Sequence, residues 1–189
     1  GTDGMWRKGG KWEGKGGAGG KGRTTRPASG RVGESLCNIL ADGVECLSLE
    51  EARGIGVFAG TGAMGLEALS GGARFCEFVD ESAEARGVIR RNADALGVIG
   101  QCKIWRRDAV KLGPAAPQPG FDLIFADPPY SKDLGTKALT SLVAGQWFNP
   151  QALVVVEEAE KAALACPPEL TELDRRVYGD TQILIARAN

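Results

Sequence analysis

The segment with the most distinctive chemistry is Asp127-Pro128-Pro129-Tyr130, which directly follows the apolar run 121–126. The run is short and apolar, which is typical of a buried strand in a parallel sheet. Each proline fixes its own φ angle and has no N–H, so the sequence predicts a stiff loop with outward-facing carbonyl acceptors. Asp127 and the Pro128 carbonyl can accept the two hydrogens of a planar NH2 group, and Tyr130 can stack on the attached ring. The alternative for these four residues alone is a stiff turn without chemistry.

Candidate ligand-binding residues also follow the three preceding predicted strands. The turn Phe58-Ala59-Gly60-Thr61-Gly62 follows the first; its glycines permit close backbone approach, and a helix N-terminus comes next. Asp80 follows the second strand, where a carboxylate can accept both hydroxyls of a ribose, and Asp108-Ala109 follows the third, where it suits an adenine edge. Ligands of doubly wound sheets bind beyond the carboxyl ends of the strands, so we expect one ligand site from these residues.

The glycine turn alone leaves a dinucleotide-dependent dehydrogenase open. Gly60, Gly62 and Gly65 match the spacing Gly-x-Gly-x-x-Gly, and an acid follows the second strand as in that class. The Asp-Pro-Pro-Tyr segment decides against hydride transfer, because that reaction has no use for a rigid pair of acceptors beside an aromatic ring.

Alternating strand and helix patterns predict an α/β fold with a doubly wound, mostly parallel sheet. We expect strands at residues 54–58, 74–79, 103–106, 121–126, 152–156, 172–178 and 182–186. Helices are expected at 63–70, 83–96 and 134–144, with a further short helix from about Arg31 to Leu40. Gly179-Asp180 separates the last two strands and predicts a terminal hairpin.

Charge is distributed unevenly along the chain. The net charge of the 189 residues is −1, yet residues 1–33 carry eight cations and two acids, a net +6, which leaves −7 for the remainder. The first segment is also rich in glycine. We therefore predict a basic N-terminal arm, residues 1–30, followed by one domain, residues 31–189. The arm is interpreted as a phosphate-binding element, with a solvated tail as an equally weighted alternative.

The composition argues against several other functions. The chain contains no histidine and five scattered cysteines without Cys-x-x-Cys spacing, so we expect neither a metal site nor a disulfide framework. No apolar run approaches 18 residues, and the N-terminus has no apolar stretch typical of a signal peptide. We expect a cytoplasmic protein without membrane association, and a monomer.

The stretch from Val57 to Ser70, followed by Gly72-Ala73, resembles the first motif of the bacterial 16S ribosomal RNA guanine-N2 methyltransferases, the RsmD-like family. Further resemblance to the family lies in Thr25-Arg26-Pro27 with Arg31-Val32, in Asn92, and in Tyr178-Gly179-Asp180-Thr181. The match spans roughly residues 9–187. The resemblance implies a Rossmann-like class I methyltransferase with seven strands, the last antiparallel. It also implies S-adenosylmethionine as cofactor, ribosomal RNA or the small ribosomal subunit as partner, and methyl transfer to N2 of a guanine.

The resemblance assigns roles residue by residue. It implies a catalytic loop of Asp127, Pro128, Pro129 and Tyr130, and a cofactor site of Phe58, Gly60, Thr61, Gly62, Asp80, Asp108 and Ala109. RNA contacts are expected from Lys11, Lys15, Arg26 and Arg31. The chain departs from the family pattern at Gly30, Gly33, Gly56 and Gly71, where charged residues are usual.

Three alternatives remain beside this interpretation. An adenine-N6 DNA methyltransferase also uses Asp-Pro-Pro-Tyr, although such enzymes usually carry an added target-recognition domain. Protein glutamine methylation favours Asn in place of Asp127. A non-catalytic RNA-binding or ribosome-assembly factor could use the same scaffold, and the intact loop argues against it.

Overall fold

The computed structural model describes residues 51–129 and 133–189, and this part of the chain contains a seven-stranded sheet and three α-helices. The strands are β1 (Arg53–Val57), β2 (Phe75–Val79), β3 (Cys102–Trp105), β4 (Phe121–Ala126), β5 (Phe148–Ala159), β6 (Leu170–Tyr178) and β7 (Thr181–Ala188). The helices are α1 (Ala63–Ser70), α2 (Ala83–Ala95) and α3 (Leu134–Ala144). The predicted helix near Arg31 and the arm of residues 1–30 lie outside the described residues, so the domain division stays a prediction.

The strands are ordered β3-β2-β1-β4-β5-β7-β6 across the sheet. The first five of these are parallel to one another, whereas β7 runs antiparallel to both of its neighbours. This arrangement confirms the predicted doubly wound, mostly parallel sheet with an antiparallel last strand. The sheet order reverses between β1 and β4, which is where ligands bind in folds of this kind.

Most element boundaries agree with the sequence patterns to within one or two residues, and β5 is the main exception. The prediction of residues 152–156 covers only the β-branched centre of a strand that runs from Phe148 to Ala159. The early part of β5 contains Asn149 and Pro150, which are typical of loops. Asn149 is held in the sheet because its Nδ2 donates to Asp122 Oδ1 on β4 over 2.9 Å.

Two hydrophobic layers cover the sheet. On one face Leu66 of α1 and Ile89 of α2 are fully buried against the strands. On the other face Leu139 of α3 is buried with Trp147, whose ring stacks on Phe121 at 5.9 Å between centroids. Strands β1 and β4 are therefore covered on both sides, which fixes the position of the residues that leave their carboxyl ends. No helix in the described ranges combines the length and apolarity needed to cross a membrane.

Candidate functional site

The glycine turn follows β1 and the Asp-Pro-Pro segment follows β4, and these two strands are neighbours in the sheet. Val57 at the end of β1 pairs with Ala126 at the end of β4 in parallel register. One residue further on, the Asp127 amide donates to the Val57 carbonyl over 3.4 Å. The two segments that the sequence analysis assigned to ligand binding and to chemistry are therefore in direct contact.

The turn after β1 uses left-handed backbone conformations. Gly60 and Gly62 have φ angles of 59° and 79°, and Phe58 adopts 51°, a conformation that is uncommon for a bulky residue. The Gly62 amide donates to the Ala59 carbonyl over 2.8 Å and closes the turn. The backbone is thus bent sharply so that α1 can begin at Ala63, directly above the ends of the strands.

Gly65 serves the packing of α1. A Cβ atom on Gly65 would lie 2.5 Å from the Phe78 ring and 2.7 Å from Cys76 Sγ, so a side chain there would force α1 away from β2. The Gly-x-Gly-x-x-Gly spacing is therefore explained by backbone bending and helix–sheet contact, which do not distinguish a dinucleotide from another ligand.

Asp80 lies at the carboxyl end of β2, and it organises the glycine turn. Its Oδ2 accepts the Gly60 amide over 3.0 Å, and its Oδ1 accepts the Ser82 amide over 2.9 Å. Ser82 in turn caps α2 by accepting the Ala85 amide over 3.1 Å. Each carboxylate oxygen has a second lone pair, so the carboxylate can hold the turn and still accept from a ligand hydroxyl.

Asn92 fixes the same turn from the opposite side. This residue is buried on α2, and its Nδ2 donates to the Thr61 carbonyl over 3.3 Å. In the sequence analysis Asn92 entered only through the family resemblance, without a physical role. Its contact explains why an amide is suitable here, because a buried aliphatic residue would leave the Thr61 carbonyl without this donor.

A small cavity connects the turn with the start of the Asp-Pro-Pro segment. Four of the predicted site residues line it, namely Phe58, Thr61, Gly62 and Asp127. Its volume is about 40 Å³, far below the roughly 300–1,000 Å³ of a full ligand pocket. It can hold only one part of a larger ligand, and the rest must lie along the open ends of the strands.

Other predicted site residues lie away from this cavity. Asp108 follows β3, and its Oδ1 accepts the Val110 amide over 3.0 Å, whereas the adjacent Ala109 is buried in the core. Neither lines the cavity, and an elongated ligand would have to cross β1 and β2 to reach them. Pro128 is buried and Pro129 is exposed. The remaining predicted site residues lie outside the described residues: Lys11, Lys15, Arg26, Arg31 and Tyr130.

Glu158 is a residue near the site that sequence reasoning missed. It is buried at the end of β5; its Oε2 accepts the Gly135 amide and its Oε1 accepts the Ala159 amide, each over 3.0 Å. Gly135 is the second residue of α3, the helix that follows the Asp-Pro-Pro segment. The N-cap residue Asp133 makes no capping bond through its side chain, so Glu158 supplies an acceptor that the helix start lacks locally. The available signal was the pair of acids that follows the β-branched run 154–156.

Glu77 is a second buried acid, on β2. Burial raises the pKa of its carboxyl, and the positive charge of Lys103 opposes part of that change. Among the described residues no donor lies in hydrogen-bond geometry to either carboxylate oxygen, although the buried indole N–H of Trp105 and the side chain of Gln118 are close by. Because the pKa of Glu77 is raised on folding, its contribution to stability is complete below the unfolded-state pKa and is lost as the pH rises through the folded-state pKa.

Within residues 51–129 and 133–189, no group of three or more Cys, Asp or Glu side chains is arranged to hold a metal ion. The candidate ligand-binding features of the site are the backbone turn, Asp80 and Asp127.

Comparisons with known proteins identify the family to which the chain belongs. The family described as Conserved hypothetical protein 95 matches residues 8–187. The Bacillus subtilis protein YlbH is 32% identical over 87% of this chain and 88% of its own length. Ribosomal RNA small subunit methyltransferase D of Haemophilus influenzae is 30% identical over 82% of this chain and 78% of its own length.

Solved structures agree with this relationship. The crystal structure of the Haemophilus influenzae protein HI0767 superposes with a TM-score of 0.72 at 26% identity, covering 84% of this chain and 96% of that one. The Escherichia coli protein yhhF gives a TM-score of 0.70 at 24% identity over 87% of this chain and 88% of its own, which supports the fold. The family match over almost the whole length confirms the resemblance drawn from the glycine turn and Asp-Pro-Pro-Tyr: the chain belongs to the Conserved hypothetical protein 95 family of RsmD-like methyltransferases.

Proposed function

We propose that this protein transfers a methyl group from S-adenosylmethionine to the exocyclic N2 amine of a guanine in small-subunit ribosomal RNA. The observation that carries the proposal is the contact between the glycine turn and Asp127, which share one cavity at the switch point of the sheet. The relative named ribosomal RNA small subunit methyltransferase D supports the RNA as substrate class. The choice of guanine N2 rests on the chemistry of the loop and on the family resemblance.

The residues at the strand ends suit S-adenosylmethionine. Gly60 has a left-handed backbone, and a Cβ atom built on it would meet nothing within 4 Å, so the turn is open to a ligand on that side. Asp80 would accept from the ribose while it holds the turn, and Asp108-Ala109 would border the adenine. The bound cofactor supplies an electrophilic methyl group on a sulfonium.

Asp127 and the Pro128 carbonyl then orient the accepting amine. The lone pair of a guanine amine is delocalised into the ring, so the amine is a poor nucleophile. Hydrogen bonds from its two N–H groups to these acceptors direct the lone pair toward the methyl group, and alignment of this kind contributes several kcal/mol, up to about 7–11 in favourable systems. Asp127 accepts the proton released from the methylated amine, which is strongly acidic while it is cationic. Tyr130 offsets part of the cost of unstacking the base.

The direct test is methyl transfer from radiolabelled S-adenosylmethionine to small-subunit RNA from a strain that lacks this gene. Mass spectrometry of the digested RNA should locate one N2-methylguanosine that wild-type protein restores and Asp127→Ala does not. An N6-methyladenine product in DNA would replace the proposal with the DNA-methyltransferase alternative. RNA binding without S-adenosylmethionine binding would favour the non-catalytic factor.

A further inference from the structure

On the outermost parallel strand, one cation precedes and one cation follows a tryptophan, and both contact its indole ring. Lys103, Trp105 and Arg107 alternate along β3 and the residues directly after it. The Lys103 ammonium lies 4.2 Å, and the Arg107 guanidinium carbon 4.4 Å, from the centroid of the Trp105 ring. Cation–π contacts of this kind hold long, flexible side chains in place without neutralising their charge. Since β3 pairs only with β2, this group lies at an edge of the sheet.

Two exposed cations next to this group extend it. We call Lys103, Arg106, Arg107 and Lys111 the basic edge; Arg107 is half-buried and the other three are exposed. Between residues 103 and 111 these four cations accompany a single acid, Asp108. The rest of the described chain has ten cations and seventeen acids, so the basic edge is a positive area on an otherwise acidic body.

Among the described residues, no ion pair neutralises the basic edge. Within the described ranges, ion pairs join Arg74 to Glu51, Arg175 to Glu172 and Arg176 to Asp174, and none includes a cation of the basic edge. Two of these cations have other interactions: Arg107 donates to the Leu112 carbonyl, and Lys103 is close enough to Glu77 to lower the pKa of that carboxyl. The outward positive field is therefore retained, and such a field attracts polyanions.

The basic edge lies at the same end of the sheet as the catalytic loop. Strands β3 and β4 are both parallel to β1, so Arg106 and Asp127 leave the sheet at its carboxyl end. Three strand spacings separate β3 from β4, which is about 14 Å at roughly 4.8 Å per spacing. One folded RNA segment can span that distance, with phosphates on the basic edge and a displaced base at the loop.

We propose that the basic edge is an RNA-docking surface that binds substrate phosphates while the target base reaches Asp127. The inference rests on the proposed function, and it assigns part of the RNA affinity to the domain itself and not only to the N-terminal arm. Phosphate contacts position a nucleic acid without reading its sequence, so the basic edge contributes affinity and register, and guanine choice stays with the catalytic loop.

The test uses full-length protein carrying the double variant Arg106→Gln/Lys111→Gln. Both side chains are exposed, so their replacement leaves the fold intact, which a melting curve checks. The control of equal charge is Arg74→Gln/Arg187→Gln, at the amino end of the parallel strands, where Arg74 precedes β2 and the half-buried Arg187 pairs with Leu153. Its melting curve is measured as well. Affinity for an unmethylated small-subunit RNA transcript is measured across a salt series, in parallel with methyl transfer.

We expect the basic-edge variant to bind the transcript about tenfold more weakly at low salt. Its slope of log affinity against log salt should fall by about 1.4–1.8, which is roughly 0.7–0.9 for each lost phosphate contact. The control should keep the wild-type slope. Equal affinities and slopes in the two double variants would overturn the docking surface, even where wild-type methyl transfer is intact. The expected slope change in a protein without any methyl transfer would instead support the surface and contradict the proposed function.

Discussion

Replacing Glu158 tests whether the proposed catalytic loop depends on an acid that does not touch the substrate. Both oxygens of this buried carboxylate accept backbone amides, and one of those amides belongs to Gly135 in the first turn of α3. Glu158→Gln keeps the shape of the side chain but turns one acceptor oxygen into an NH2 group that must face an N–H. The variant therefore removes one charge-assisted hydrogen bond and the favourable interaction of an anion with the helix N-terminus.

The loss in the free energy of unfolding follows from these two contacts. A hydrogen bond to a charged group contributes about 1.5–3 kcal/mol, so we expect the free energy of unfolding to fall by about 2 kcal/mol. For a chain of this size, that loss lowers Tm by about 4–8 °C. Hydrogen exchange should locate the change at the Gly135 amide. Turnover should fall about 10-fold to 100-fold, because a shift of roughly 1 Å at the reacting group can cost that much. Affinity for S-adenosylmethionine should stay within about twofold, since the glycine turn is held by Asp80 and Asn92.

An effect of Glu158→Gln on overall stability must be distinguished from a displacement of the loop. Leu96→Ala is a suitable control, because Leu96 is buried beyond the end of α2 and its truncation costs about 2–5 kcal/mol without touching α3. At a temperature where both variants are fully folded, only Glu158→Gln should have reduced kcat. Faster exchange at Gly135 together with wild-type kcat would refute the reasoning, since the tether would then be lost without consequence for the loop.

Four further outcomes are expected. Asp127→Ala should lower turnover at least 100-fold while S-adenosylmethionine affinity, measured by calorimetry, stays within a few-fold; near-native turnover would contradict its acceptor role. Asp80→Ala should weaken S-adenosylmethionine binding tenfold or more, about 1.4 kcal/mol, because the ribose acceptor and the Gly60 tether are lost together; unchanged calorimetric affinity would remove Asp80 from the site. Glu77→Gln should gain stability relative to wild type as the pH rises above the unfolded-state pKa of a glutamate, because burial raises the pKa of Glu77 and only the wild type must then bury a charge; parallel curves of unfolding free energy against pH would contradict this. Removal of residues 1–23 should weaken RNA binding and flatten its salt dependence without changing Tm, and equal salt slopes would show that these residues make no phosphate contacts.

The fold was largely predictable because its elements differ in periodicity. The continuous apolar strand at 121–126 and the helices at 63–70 and 134–144 have the predicted bounds, since each has an uninterrupted pattern and a clear stop. The extent of β5 was not predictable from its own residues. The first residues of β5 have a composition typical of loops. The strand nevertheless includes them because Asn149 donates a hydrogen bond to Asp122 on the neighbouring strand, and nothing within the segment itself indicates that contact.

The positions of Asp80 and Asp127 followed from one topological rule, whereas their hydrogen-bond partners did not. Residues after parallel strands must meet at one edge, which placed Asp80 and Asp127 near the glycine turn before any contact was known. Which amide a carboxylate accepts depends on the side chains and backbone of distant segments. Asp80 was assigned to a ribose, and the structure adds its contact with the Gly60 amide; Glu158 contacts a helix 23 residues earlier in the chain. The net charge of the domain was an equally incomplete guide to RNA binding. The acidic total of the domain suggested that RNA needs the arm, but a summed charge hides the four cations between residues 103 and 111, which the fold places at one edge of the sheet. The role of each charged residue in this domain therefore depends on the atom that it faces.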